Sequence, residues 1–146
     1  MTETDFDADR EPLNDAVELP RGIEAMFERY AAGFDDFDAD AVLDCFRFPA
    51  TLWQSGRGNV FADEDELLEN VEALLAVFER EEIVRSVFTV VDDCTAERDV
   101  AYAVLDWRQE RADGEAALEF RCRYTLAREE TREGEDDWRI VLAVSD

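Results

Sequence analysis

The amino-acid sequence predicts an α+β fold in which three N-terminal helices pack on the apolar face of a curved, mostly antiparallel sheet. Three observations predict it. Apolar residues recur at three- and four-residue steps as far as about residue 82, and at every second residue beyond it. The pair Asp113-Gly114, a strong local hairpin signal, joins two of the alternating segments. A length of 146 residues suits one domain, able to bury roughly two thirds of the surface that its unfolded chain exposes.

Residues 1–19 hold many acids, few large apolar groups and Pro12, so they are expected to form an acidic, disordered tail, helical at most near Leu13 and Val17. The folded domain is expected over 20–146. Ile23, Met26, Phe27, Tyr30, Ala31 and Phe34 lie on one helical face and predict a first helix from Pro20 to Phe34. A short second helix follows Asp38 or Asp40, either of which can cap it, with Val42, Leu43 and Phe46 facing inward and Pro49 stopping it. Ala50 to Gln54 reads as a strand, and Ser55 to Asn59 as a flexible turn into a short strand at Val60 and Phe61. Asp63 with Glu66 starts a third helix, whose stripe runs from Leu67 through Leu68, Val71, Leu74 and Leu75 to Phe78 and ends near Glu82.

Strands are then expected at Ile83–Val91, Asp99–Ala112, Glu115–Arg128 and Trp138–Ser145. A two-residue Asp113-Gly114 loop sets Trp107 opposite Phe120, Leu105 opposite Cys122, Ala103 opposite Tyr124 and Ala101 opposite Leu126, an unbroken apolar face. The other face then pairs Arg108 with Glu119 and Asp106 with Arg121, opposite charges in both cases. A slip of one residue would destroy both patterns, so the sequence specifies this register.

Composition narrows the function classes. Thirty-nine acidic residues face fifteen basic ones, all of them Arg, with neither Lys nor His, and the net charge is -24. Such a domain repels itself at low ionic strength, whereas at about 1 M salt the screening length falls to roughly 3 Å. The expectation is a salt-adapted protein of a halophile's cytoplasm; the competing reading is an acidic domain for a basic partner. The acids are spread along the whole chain, which favours the first. Nucleic acid is not an expected partner, because binding it needs a basic surface. No apolar run approaches the about 20 residues that span a bilayer, so no membrane is expected either. Cys45, Cys94 and Cys122 show no metal-ligand spacing and read as reduced core residues. Without His, triads that use it and most zinc sites are excluded. No cofactor or metal is expected.

Several segments in this order resemble one known superfamily. They are Arg29-Tyr30-Ala31-Ala32, Asp38 to Phe46, Phe48-Pro49-Ala50-Thr51, the helix capped at Asp63, the hairpin from Trp107 to Tyr124, and Trp138-Arg139-Ile140. Over about residues 20–145 the chain resembles the nuclear-transport-factor-2-like superfamily with its cystatin-like cone, and within it the uncharacterised SnoaL-like proteins. The resemblance implies a cone-shaped α+β barrel with a pocket between helices and sheet. It also implies the oxyanion tyrosine of ketosteroid isomerases at Tyr30. In those enzymes an aspartate at the end of the first strand moves the proton and a protonated aspartic acid on a late strand assists. Here the first position falls on Gln54, which cannot exchange a proton near neutral pH, and the second near Cys122.

Candidate ligand-binding residues are therefore Tyr30, Phe34, Trp53, Gln54, Trp107, Phe120, Cys122 and Tyr124, with Tyr30, Gln54 and Cys122 as weak catalytic candidates. The competing reading is that the aromatics simply fill the core. Asp44 and Asp106 are expected to face solvent and the charged sheet face. Arg108, Arg121 and Arg123, with Arg85 and Arg139, gather on the outer sheet face; the resemblance implies a homodimer through it, and cross-strand pairing within one chain is the alternative. The expected function is homodimeric binding of a small apolar molecule in the cone; the alternative is a SnoaL-like lyase, isomerase or cyclase acting on an apolar ring compound.

Overall fold

The stripe that begins at Ile23 folds as helix α1 (Arg21–Asp35), with Ile23, Met26, Phe27, Ala31 and Phe34 buried. The protein is seen as a computed structural model that describes residues 19–130 and 136–145, without the side chains of 93–97, 130 and 136. The acidic tail expected over 1–19 lies outside the described residues except for Leu19, which is 7% exposed and belongs to the core instead. Helix α1 ends in a Schellman motif: Phe37 takes a positive φ of 54°, and the Phe37 and Asp38 amides donate to Phe34 O and Gly33 O. Asp38 then caps helix α2 (Ala39–Leu43) by accepting from the Ala41 amide. The two helices approach closely at Gly33, where an added Cβ would stand 2.9 Å from Val42 Cγ2.

Helix α2 stops before Pro49, and strand β1 covers Phe46–Gln54, longer than the expected Ala50–Gln54. Pro49 has no amide proton to give a ladder, and it sits where pairing with the neighbouring strand is interrupted, between Phe46 and Thr51. The expected flexible turn is a tight one: Ser55 and Gly56 have positive φ values of 52° and 75° and lead directly into β2 (Arg57–Phe61). Helix α3 (Glu64–Arg80) starts as expected at Asp63, whose side chain accepts from the Glu66 amide. Glu66 reaches back to the Ala62 amide, so both side chains satisfy free donors of the first turn.

The remaining strands are β3 (Ile83–Glu97), β4 (Val100–Arg111), β5 (Ala116–Glu130) and β6 (Asp136–Ser145). Strand β3 outruns its expected end at Val91, because register shifts around Asp92 let a polar stretch stay paired. The six strands form one sheet in the order β2-β1-β6-β5-β4-β3, parallel only between β1 and β6. The expected barrel is thus corrected to an open, cone-like α+β layer with edges at β2 and β3. All six expected β4–β5 pairs occur, but by a different route. The loop is three residues, Ala112 to Gly114, closed by the Arg111 amide donating to Glu115 O, and a shift between Gln109 and Glu110 restores the register. The apolar sheet face meets α1 and α3 around Phe27, Phe78, Leu105 and Leu126, all 2% exposed or less.

Candidate binding cavity

The inward side chains stand in rows across the sheet, as period 2 requires. One row runs Leu52, Ala143, Tyr124, Ala103; the next runs Ser145, Cys122, Leu105, with Gln54 beside it; then come Phe120, Trp107, Phe88 and finally Leu118, Gln109, Ser86. Between these rows and the helices lies a cavity of about 90 Å³. Tyr30, Phe34 and Val42 line it from α1 and α2, and Leu67, Asn70, Val71, Leu74 and Phe78 from α3. Its floor is the buried set around Trp107, Cys122 and Tyr124, while Gln54, Asn70 and Leu118 are exposed and mark its mouth.

Of the eight candidate ligand residues, Tyr30, Phe34, Gln54, Trp107, Phe120, Cys122 and Tyr124 border this one cavity. Trp53 does not. It is 45% exposed and lies over Gly58 on β2, where an added Cβ would stand 2.4 Å from its ring. Adjacent strand residues point to opposite faces, so Trp53 and Gln54 cannot share the cavity. The aromatic side chains form a connected set: Tyr30 meets Phe34, Phe46 and Trp107 edge-on, and the Trp107 Nε1–H donates to Tyr124 Oη at 2.8 Å within the core.

No charged side chain lines the cavity among the described residues. Its titratable groups all stay protonated near neutral pH. Burial pushes the Tyr30 hydroxyl far up, Cys122 and Cys45 adding to the shift, and no hydrogen bond offsets it. Burial raises Tyr124 likewise, and pushes the Cys122 and Cys45 thiols up to about 11. Both cysteines are free and buried; the Cys94 side chain lies outside the described residues. No three His, Cys, Asp or Glu side chains converge on a metal position among the described residues.

Two groups escaped the sequence reading. Gln109 is 5% exposed and lines the cavity, yet its Oε1 has no hydrogen-bond partner. Asp35, at the end of α1, has a buried Oδ1 without a partner of good geometry. Burial raises its carboxyl, an effect that nearby Ser86 partly offsets. Asp35 is not among the residues lining the cavity.

The outer sheet face holds the expected arginines, each engaged within the chain. Arg121 donates twice to the Asp106 carboxylate, at 2.7 and 3.1 Å, and holds it below its ordinary range. Arg85 and Arg108 both donate to Glu110, and Arg139 donates to Asp137. Arg123 stands opposite Val104 on one side and Val144 on the other. Asp44 is exposed, as expected. On the same face Tyr102 is 53% exposed and Val60 68%.

Comparisons with known proteins follow the same outline. A family model described as NTF2-like protein (DUF6841) matches residues 18–146. No curated protein matches the chain. Among solved structures, a function-unknown protein of Mycobacterium tuberculosis is similar at TM-score 0.62 and 18% identity, covering 86% of this chain and 69% of that one. A protein of unknown function with a cystatin-like fold from Nostoc punctiforme gives TM-score 0.62 and 15% identity, covering 89% and 92%. A ketosteroid isomerase-like protein of Erwinia carotovora atroseptica gives TM-score 0.56 and 19% identity, covering 86% and 92%. At these identities the likeness is one of fold alone.

Proposed function

This chain belongs to the NTF2-like protein family DUF6841, and from that premise we propose that it binds a small, mostly apolar molecule in the cavity under its helices, without isomerase-type turnover. One observation carries the reading: the cavity has apolar walls and several polar anchors, Tyr30 and Gln54 among them, but among the described residues no carboxylate or cation on its lining. A binder needs a shaped apolar space with a few polar contacts. Proton transfer at carbon needs in addition a group that ionises near the working pH. Tyr30, Tyr124 and Cys122 are all shifted the wrong way for that. The alternative, a lyase, isomerase or cyclase acting on an apolar ring compound, would have to recruit a base from outside the lining.

Size limits the ligand. A cavity of about 150 Å³ takes up benzene, so about 90 Å³ admits a single ring only if Leu74, Leu118 or Phe120 moves aside, and a polycyclic skeleton only with wider opening. A thermal-shift screen of neutral monocyclic aromatics, steroids and fatty acids tests this. A ligand at about 100 times its Kd should stabilise the fold by about 2.7 kcal/mol, with hits among the monocyclic compounds. Steroid isomerisation abolished by Tyr30→Phe would overturn the non-catalytic reading.

The same proposal places two copies face to face through the outer sheet in a salt-rich cytoplasm. Supporting the dimer are Trp53, Val60 and Tyr102, exposed apolar groups whose register sets them on the outer sheet face. Supporting the location are the net charge of -24 and the free Cys45 and Cys122. Light scattering in 2–3 M KCl should give twice the chain mass, and Tyr102→Glu should shift it to the monomer; a monomeric wild type would refute the dimer.

A further inference from the structure

Within the cavity, the row nearest the β4–β5 hairpin differs from its neighbours. Alternate inward residues of β4 run Ala101, Ala103, Leu105, Trp107 and then Gln109, so a carboxamide ends an otherwise apolar series. Gln109 is 5% exposed and its Oε1 is unpartnered. Directly opposite it on β3 stands Ser86, 8% exposed. Cross-strand neighbours have Cβ atoms about 5 Å apart, but the Ser86 hydroxyl has the Asp35 carboxyl beside it, so the unpartnered group of the cavity lining is the Gln109 carboxamide oxygen. Buried polar groups are normally paired, and one left unpaired calls for an explanation. Leu118 stands opposite Gln109 and the Trp107–Phe120 row lies next to it, all of them lining the cavity. Among the described residues no cation lines the cavity to hold an anion.

We propose that Gln109 anchors the ligand, which carries a neutral hydroxyl or carboxamide group on an apolar body and docks that group at the hairpin end of the cavity. This rests on the binding reading above and deepens it. The Gln109 row lies two rows, about 14 Å along the strands, from the row of Cys122 beside which Gln54 stands, so this anchor is separate from Gln54. A hydroxyl both donates and accepts, and therefore suits either end of the Gln109 carboxamide. A carboxylate would lose its hydration without a cation to replace it.

The test is titration calorimetry of the full chain in high KCl with three probes: phenol and toluene, which match in size, and the larger anion benzoate. Wild type should bind phenol about tenfold more tightly than toluene, the worth of one buried hydrogen bond, and benzoate far more weakly. Gln109→Met keeps the volume and removes the amide, so it should abolish the preference for phenol while toluene binds as before or better. Should that variant fail to fold, the ranking of the three probes on wild type still decides. Equal binding of phenol and toluene to wild type, or a preference that survives Gln109→Met, would overturn the anchor and leave the cavity reading standing. Preferred benzoate would overturn the neutral ligand. Binding of none of the three would refute the cavity reading itself.

Discussion

Replacing Tyr124 by Phe removes one oxygen from the middle of the aromatic set and leaves its packing otherwise intact. Trp107 and Tyr124 are 3% and 4% exposed, and the Nε1–H to Oη bond spans 2.8 Å. Without the acceptor, the indole N–H stays buried with nothing to bond, which costs about 1–3 kcal/mol. The ring itself still meets Phe27, at 4.8 Å between centroids, so no cavity term is added. Trp107→Phe should cost more. It removes the donor to the Tyr124 hydroxyl, which keeps its contact with Cys122, empties part of the indole volume, and weakens ring contacts with Tyr30 and Phe88, each worth about 0.5–1.5 kcal/mol. Once either partner is gone the second change strands nothing further, so the double variant should cost about 1–2 kcal/mol less than the sum of the singles. Urea unfolding followed by circular dichroism at fixed KCl measures all three variants. A cost below about 0.5 kcal/mol for Tyr124→Phe, or strict additivity in the cycle, would refute this account of the pair.

Two further outcomes follow from charge. Because burial raises the Asp35 carboxyl, the folded state holds that proton more tightly than the unfolded chain does, and stability falls as pH rises through the interval from its ordinary value to its raised one. Asp35→Asn should therefore be more stable than wild type at pH 7, the advantage fading below about pH 4; an advantage independent of pH would exclude this cause. Asp106 and Glu110, lowered by their arginines, act oppositely, losing their contribution as pH falls, and cancel in that difference. For the whole domain, a net charge of -24 predicts a melting temperature that climbs from 0.1 to 3 M KCl as repulsion is screened. A flat curve would contradict salt adaptation.

How much of this was legible in the sequence depends on how many constraints met at each position. The β4–β5 register was, because the apolar pairing of Trp107 with Phe120 and the ionic pairing of Asp106 with Arg121 agree on one answer. Even the longer hairpin loop did not disturb it, since the shift beyond Gln109 compensates. Helices α1 and α3 were legible from stripe and cap together. Strand β1 was misjudged because Pro49 reads locally as a stop, whereas the sheet tolerates it at a gap in pairing that only the tertiary arrangement creates. Trp53 was misplaced by chemistry winning over parity: an aromatic beside Gln54 invites a pocket, but the strand turns it outward. Gln109 carried a readable signal, the inward parity of Trp107 and Leu105, that went unused. Asp35 carried none, since one acid in an Asp35-Asp36 pair looks like any solvated acid until Ser86 is seen beside it.

On the binding proposed above, the space between Tyr30, Val71 and Phe120 receives a small neutral molecule, an event that methyl NMR can follow residue by residue. Toluene titrated into the full chain with 13C-labelled methyl groups, in high KCl, should shift the Leu67, Val71, Leu74 and Leu118 resonances, whose side chains line the cavity. The shifts should saturate along one binding curve, while Val60 and Val84 on the exposed surface stay unmoved. Unchanged cavity methyls, or shifts confined to Val60 and Val84, would contradict the account and leave the interior a closed core.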